Sequence, residues 1–155
     1  MSNRDPAAIR VPYETTALVR DTCLCLHVQR AARALARLFD EALRPLGLTN
    51  GQFSLLMALN RPEPVAMGPV ASLLAMDRTT LTAALKVLER RGLLTIAPDP
   101  NDRRSRKLSL TDAGHALLMT ALPIWRRLHA ELDDQLPDGE PERLRRDLIA
   151  LGRSA

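Results

Sequence analysis

Apolar residues recur along most of this chain at spacings of three and four, with charged and hydroxyl side chains between them. Over residues 13 to about 43, Cys25, Val28, Ala32, Leu35, Phe39 and Ala42 make one stripe. Arg20, Arg30, Arg33, Arg37 and Arg44 fall largely outside it, which predicts a single long amphipathic helix. Pro45 and Gly47 end that helix. Thr49-Asn-Gly-Gln52 has the form of a capping box, and the helix it opens carries Phe53, Leu56, Met57 and Leu59 before stopping near Pro62. A proline-rich turn over 61–65 precedes a short helix over 69–75, with Val70, Leu73 and Leu74 facing a core. Asp77 is a good N-cap for the next helix, whose inner ridge is Leu81, Ala84, Leu85 and Leu88. Gly92 stands where a left-handed residue closes it.

The period then changes. Short β-compatible runs at 93–97 and 106–110 flank a turn containing Pro100 and Asn101, which predicts a small hairpin or wing. Thr111-Asp112 caps another long helix with Leu118, Leu122, Trp125, Leu128, Leu132 and Leu136 on one stripe and Pro123 as a kink. After a turn at 137–141, a last helix shows Leu144, Leu148 and Leu151. The expected fold is mainly α with a small β-hairpin wing. A winged helix-turn-helix lobe at 49–111 is flanked by N- and C-terminal helical regions at 13–46 and 112–153, all within one chain of 1–155. The end helices carry more apolar surface than a small winged core needs. Pairing with a second copy would bury it, giving a two-fold homodimer; packing within one chain is the alternative.

Composition sharpens this picture at one place. The chain of 155 residues has a net charge of +4. From Arg78 to Lys107 eight basic residues face three acidic ones, so this stretch holds +5 and the remainder −1. A local excess of that kind favours a polyanion at one surface. An apolar fraction of 46% supports a core. No apolar run approaches the ~20 residues of a membrane span, and no signal peptide is recognisable, so a cytoplasmic protein without membrane contact is expected. Two cysteines make no disulfide framework, and on a helix Cys23 and Cys25 would point to different faces.

With Leu81, Leu85 and Leu88 turned inward, Arg78, Thr79, Thr82, Ala83 and Lys86 face outward. The N-terminal half of such a helix meets base edges in the major groove of double-stranded DNA. Arginine can bond guanine through two nitrogens, and threonine offers a hydroxyl or a methyl group. The DNA-reading set comprises Arg78, Thr79, Thr80, Thr82 and Lys86 on the helix and Asp102, Arg103, Arg104 and Arg106 in the wing. A basic hairpin tip suits a narrow minor groove. Asp102 is expected to orient an arginine, most simply Arg104, through a salt bridge. A protein-interaction module with no DNA role is the competing class.

The long first helix, Leu46-Gly-Leu-Thr49 with Gln52-Phe53, the 77–92 helix, Asp102-Arg-Arg-Ser-Arg106 and Leu108-Ser-Leu-Thr-Asp-Ala-Gly114 together resemble the MarR family of bacterial transcription regulators. The resemblance implies a homodimer on a pseudo-palindromic operator, usually a repressor released by a small molecule or an oxidant. It implies that Arg104 is the wing-tip arginine and Asp102 its companion. It also implies a pocket between the first helix and the DNA-binding lobe, suited to a small aromatic carboxylate or phenol, with His27, Arg30 and Arg33 as polar contacts.

Cys25 holds the place of the reactive cysteine in the family's organic-hydroperoxide sensors, which makes thiol-based sensing the alternative, with Cys23 as a neighbouring thiol. The positions where those sensors carry supporting tyrosines are Gln29 and Phe39 here. An inert cysteine filling space is the plainer reading. Cys23, Cys25 and His27 would fan around a helix with no second cluster, and His115 and His129 are isolated, so neither a metal site nor any other cofactor is expected. An enzyme with Cys25 as nucleophile and His27 as base lacks a third group, and no catalysis is expected.

Overall fold

The structure is a computed structural model that describes residues 10–136 and 140–153. The expected turn at 137–141 lies largely outside the described residues. The chain divides into two compact units, one ending at Leu38 and the other beginning at Phe39.

The first unit holds α1 (Tyr13–Thr22) and most of α2 (Leu24–Leu43). The single long helix expected from the stripe is therefore two helices, parted at Cys23, whose backbone is extended at φ −72° and ψ 107°. The cause is visible in the residues. The apolar stripe begins only at Cys25, and Asp21, Thr22 and Cys23 are all weak helix formers. Thr22 also turns its hydroxyl back onto the Leu18 carbonyl at 2.7 Å. Cys23 lies outside either helix, so Cys23 and Cys25 do not share a helix whose faces would separate them, contrary to expectation.

In the second unit, a turn of 3-10 helix (Arg44–Leu46) ends on left-handed Gly47. The predicted capping box then opens α3 (Asn50–Ala58): Gln52 N donates to Thr49 Oγ1 and Thr49 N donates to Gln52 Oε1. The proline-rich turn leads into a short strand the pattern did not show, β1 (Val65–Ala66), and α4 (Met67–Leu74) follows at once. Its end is closed by Ala75 in the left-handed region at φ 50°. Asp77 caps α5 (Arg78–Arg90), and left-handed Gly92 follows it, both as expected.

The wing is longer than its apolar runs. β2 (Leu94–Asp99) and β3 (Asp102–Leu110) leave only Pro100 and Asn101 as the tip, so Arg103, Arg104 and Ser105 lie within the strand span rather than in a loop. A two-stranded ribbon exposed on both faces needs no apolar alternation, and this hid the extension. β1 joins the other edge of β3 at Leu108 and Lys107, giving the antiparallel order β1-β3-β2.

Thr111 caps α6 (Asp112–Gln135), which contains Pro123, and α7 (Pro141–Gly152) ends the described chain. The mainly helical architecture with a small antiparallel wing and helical ends is the one expected. Among the described residues the largest fully buried side chains are Leu43, Leu55, Leu56, Val70, Leu81, Leu85, Leu88, Leu94 and Leu108, drawn from α2 through β3. Each buried leucine contributes about 2 kcal/mol, so α5 is held by its inner face and its outer face is free of structural duty. Among the described residues no helix is long and apolar enough to cross a membrane.

Candidate nucleic-acid interface

The outer face of α5 is a shallow concavity lined by Arg78, Thr79, Thr82, Ala83 and Lys86, the set that periodicity placed outward. The three threonines of α5 do different things. Thr79 is exposed, and its hydroxyl has no hydrogen-bond partner among the described residues. Thr82 donates its hydroxyl to the Arg78 carbonyl at 2.7 Å, which leaves its oxygen as an acceptor and its methyl as an apolar contact. Thr80 is occupied by the cap: its hydroxyl and its N–H donate to Asp77 at 2.7 and 2.8 Å. The same two bonds, the hydroxyl first, hold the Asp77 carboxyl below the usual carboxylate range.

In the wing, Asp102 does not pair with the Arg104 guanidinium as expected. Its carboxylate accepts the Arg104 main-chain N–H at 2.9 Å. An aspartate side chain reaches the N–H two residues on more easily than a long guanidinium can fold back to it. Asp102 thus shapes the backbone at the start of β3, while Arg103 and Arg104 keep free guanidinium groups among the described residues. Arg106 turns one nitrogen toward the Arg103 and Ser105 carbonyls, both at 3.3 Å. Lys107 is taken by Asp99 at 3.5 Å. The wing's positive field therefore comes chiefly from Arg103, Arg104 and Arg106.

Arg91, counted in the basic stretch, also has an internal task. It donates to the Gly47 carbonyl at 2.9 Å and to Gln52 Oε1 at 3.4 Å. One residue later, the Gly92 carbonyl accepts the Thr111 hydroxyl at 2.6 Å, and the Thr111 N–H donates to the Leu93 carbonyl at 3.2 Å. The chain leaving α5 is thus gripped by the start of α3 and the start of α6. Sequence reasoning missed this joint because its partners lie far apart in the chain.

The candidate sensing residues lie along α2. Cys25 is exposed, and Gln29 Nε2 donates to its sulfur at 3.1 Å, while Arg33 donates to Gln29 Oε1 at 3.1 Å. His27 Nδ1 sits 2.8 Å from the Cys23 carbonyl, which requires the proton on that nitrogen. Arg30 is exposed. The described residues hold no grouping of His, Cys, Asp and Glu that would bind a metal ion. Within the second unit, a largely apolar groove of about 300 Å³ is lined by Phe53, Ser54, Met57, Ala58, Leu73, Leu122 and Trp125.

A model described as the MarR family matches residues 46–105. The transcriptional repressor MprA of Escherichia coli is 30% identical over 135 residues, covering 81% of this chain and 73% of its own length. The transcriptional activatory protein BadR of Rhodopseudomonas palustris is 32% identical over 113 residues, covering 70% of this chain and 65% of that protein. The crystal structure of the M. tuberculosis transcriptional regulator MosR in complex with DNA superposes with a TM-score of 0.78 at 39% identity, covering 85% of this chain and 95% of that one. Sequence and fold agree, each match covering more than four-fifths of this chain. This chain belongs to the MarR family of winged helix-turn-helix transcriptional regulators, which are not enzymes.

Proposed function

We propose that the protein is a homodimeric repressor that binds a pseudo-palindromic DNA operator and is released by a small aromatic carboxylate or phenol. The observation that carries the DNA-binding part is the pairing of two readers on one lobe. The concavity of Arg78, Thr79, Thr82, Ala83 and Lys86 offers donors, acceptors and methyl groups at the scale of a major groove. Beside it in sequence, the strand-borne guanidinium groups of Arg103 and Arg104 are free to enter a minor groove. MosR was crystallised with DNA, which supports the same use of the shared fold. Repression is our choice of sign, since the relatives include both a repressor and an activatory protein.

The effector reading is supported by the groove beside Trp125 and Phe53, whose aromatic and methionine lining suits a flat apolar ring and whose Ser54 supplies a hydrogen-bonding hydroxyl. His27, Arg30 and Arg33 remain candidates for a carboxylate. An oxidant is the second reading, favoured by the chain of hydrogen bonds from Arg33 through Gln29 to Cys25.

One binding experiment tests these parts. Arg104→Ala is expected to weaken operator binding, reduce the slope of log K against log salt by on the order of one, and leave the dimer intact. Unchanged binding at moderate salt removes the wing from the interface. In the same assay, salicylate and cumene hydroperoxide are each added to the wild type and to Cys25→Ser. Release by peroxide that persists in the variant removes Cys25 from the mechanism.

A further inference from the structure

Three leucines hold the inner face of α5, but apolar contact is non-directional and tolerates small slides and tilts. Direction has to come from hydrogen bonds. At its N-terminal end, α5 has the Asp77 cap, which is local to the helix itself, and one main-chain bond from Met76 N–H to the Ala71 carbonyl of α4; among the described residues no side chain of another element is hydrogen-bonded there. At its C-terminal end, the exit is tied to two other helices, through Arg91 on one side and Thr111 on the other. The helix is therefore a lever clamped at one end with its reading residues at the other. With a rise of 1.5 Å per residue, Arg78 lies about 20 Å from Arg91 along the axis, and a tilt of about 5° moves it by nearly 2 Å. A displacement of that size is enough to break hydrogen bonds to base edges.

Arg91 fits the clamp in detail. Its acceptors are the carbonyl of Gly47 and the Gln52 amide oxygen that already closes the capping box of α3. Gly47 is left-handed at φ 64°, and a Cβ there would come within 3.4 Å of the Arg91 guanidinium. That distance is ordinary contact, so the glycine answers the backbone requirement, and the guanidinium packs directly beside it. Both bonds leave from the one nitrogen Nη1; a lysine at 91 keeps the charge, but its ammonium ends one bond short of that nitrogen and lacks the planar group that fixes its direction.

We propose that Arg91 is a positioning residue for DNA reading: it fixes the pose of α5 through Gly47 and Gln52 and makes no contact with phosphate. This rests on the DNA-binding reading above.

The test uses the duplex that the wild-type protein enriches from a randomised library, with a scrambled duplex of equal length as control. Affinities of wild type, Arg91→Lys, Arg91→Ala and Arg104→Ala are measured on both duplexes over a range of salt. Both Arg91 variants are expected to lose about tenfold on the enriched duplex, with less than about a twofold change on the scrambled one and no change in salt slope. Arg104→Ala serves as the contrast, with a reduced slope. Wild-type affinity in Arg91→Lys overturns the proposal, and that variant decides the matter if Arg91→Ala does not fold. Equal losses on both duplexes with a slope reduced by about 0.9 assign Arg91 to a phosphate and also overturn it. A lower Tm with the ratio of the two affinities unchanged makes Arg91 merely structural. Wild-type protein that binds no duplex overturns the DNA-binding reading itself, a result distinct from any of these.

Discussion

His129 lies between Phe39 and Trp125, with ring centroids 5.2 and 4.2 Å from its own. Burial pushes its pKa down, Asp133 pulls it up, and Arg145 pushes it down again. Arg145 holds both oxygens of Asp133 at 2.6 and 2.8 Å, so the carboxylate best placed to support an imidazolium is already engaged. Folding therefore favours the neutral ring. Because the folded pKa lies below the unfolded value of about 6.5, this contribution is fully present above that pH and is lost as pH falls through the lowered value. His129→Phe is expected to flatten the fall in urea midpoint on the acid side of neutrality. An unaltered profile in that variant would locate the acid sensitivity elsewhere. At this scale, the caps at Thr49, Asp77 and Thr111 were legible because a short side chain bonds its own backbone three residues on. Ala75 was not, since nothing about alanine announces a left-handed turn. Arg91 was legible only as charge, its acceptor lying 44 positions away.

Gly114 shows how closely the elements meet. A Cβ built there would stand 2.1 Å from the Leu93 carbonyl oxygen, a backbone atom that can yield only if α6 moves away from the exit of α5. Gly114→Ala is expected to destabilise the protein by about 2 kcal/mol or more, read from chemical denaturation. A change within about 0.5 kcal/mol would mean that the α6 start is free to shift. The apolar period found the helices well and their ends less well. It ran α1 and α2 together because side-chain spacing records which face is apolar and does not register a break of one residue. It shortened the wing because arginines carry no strand signal. It missed β1 because two residues are too few to have a period.

The molecule as a whole leaves apolar surface uncovered at both ends. On α7, Leu144, Leu148, Ile149 and Leu151 are exposed, Leu148 by 44%, and in the first unit Tyr13 is exposed by 76%. Patches of this kind mark interaction surfaces, and a second copy is the occupant we propose. Leu148→Asp is expected to yield monomers in sedimentation at micromolar concentration with helical content retained. Operator affinity would then fall about a hundredfold as the two half-sites lose their linkage. A stable dimer in that variant would place the interface away from α7. The DNA-reading lobe was legible in the sequence because reading is done by a single helix and hairpin. The dimer was visible only as an excess of apolar residues, since a contact between two chains leaves no spacing in either.

The brevity of β1 has a consequence for the protein in solution. Among the described residues, β1 covers β3 only at Leu108 and Lys107, so the edge of β3 from Asp102 to Arg106 has no strand beside it on that side. Bare edges of this kind invite another chain to add a strand. Arg103, Arg104 and Arg106 stand along it, and their mutual repulsion keeps two wings from zipping together. Removing them would cost colloidal stability as well as DNA affinity, so a variant designed to abolish binding also becomes one that precipitates when concentrated.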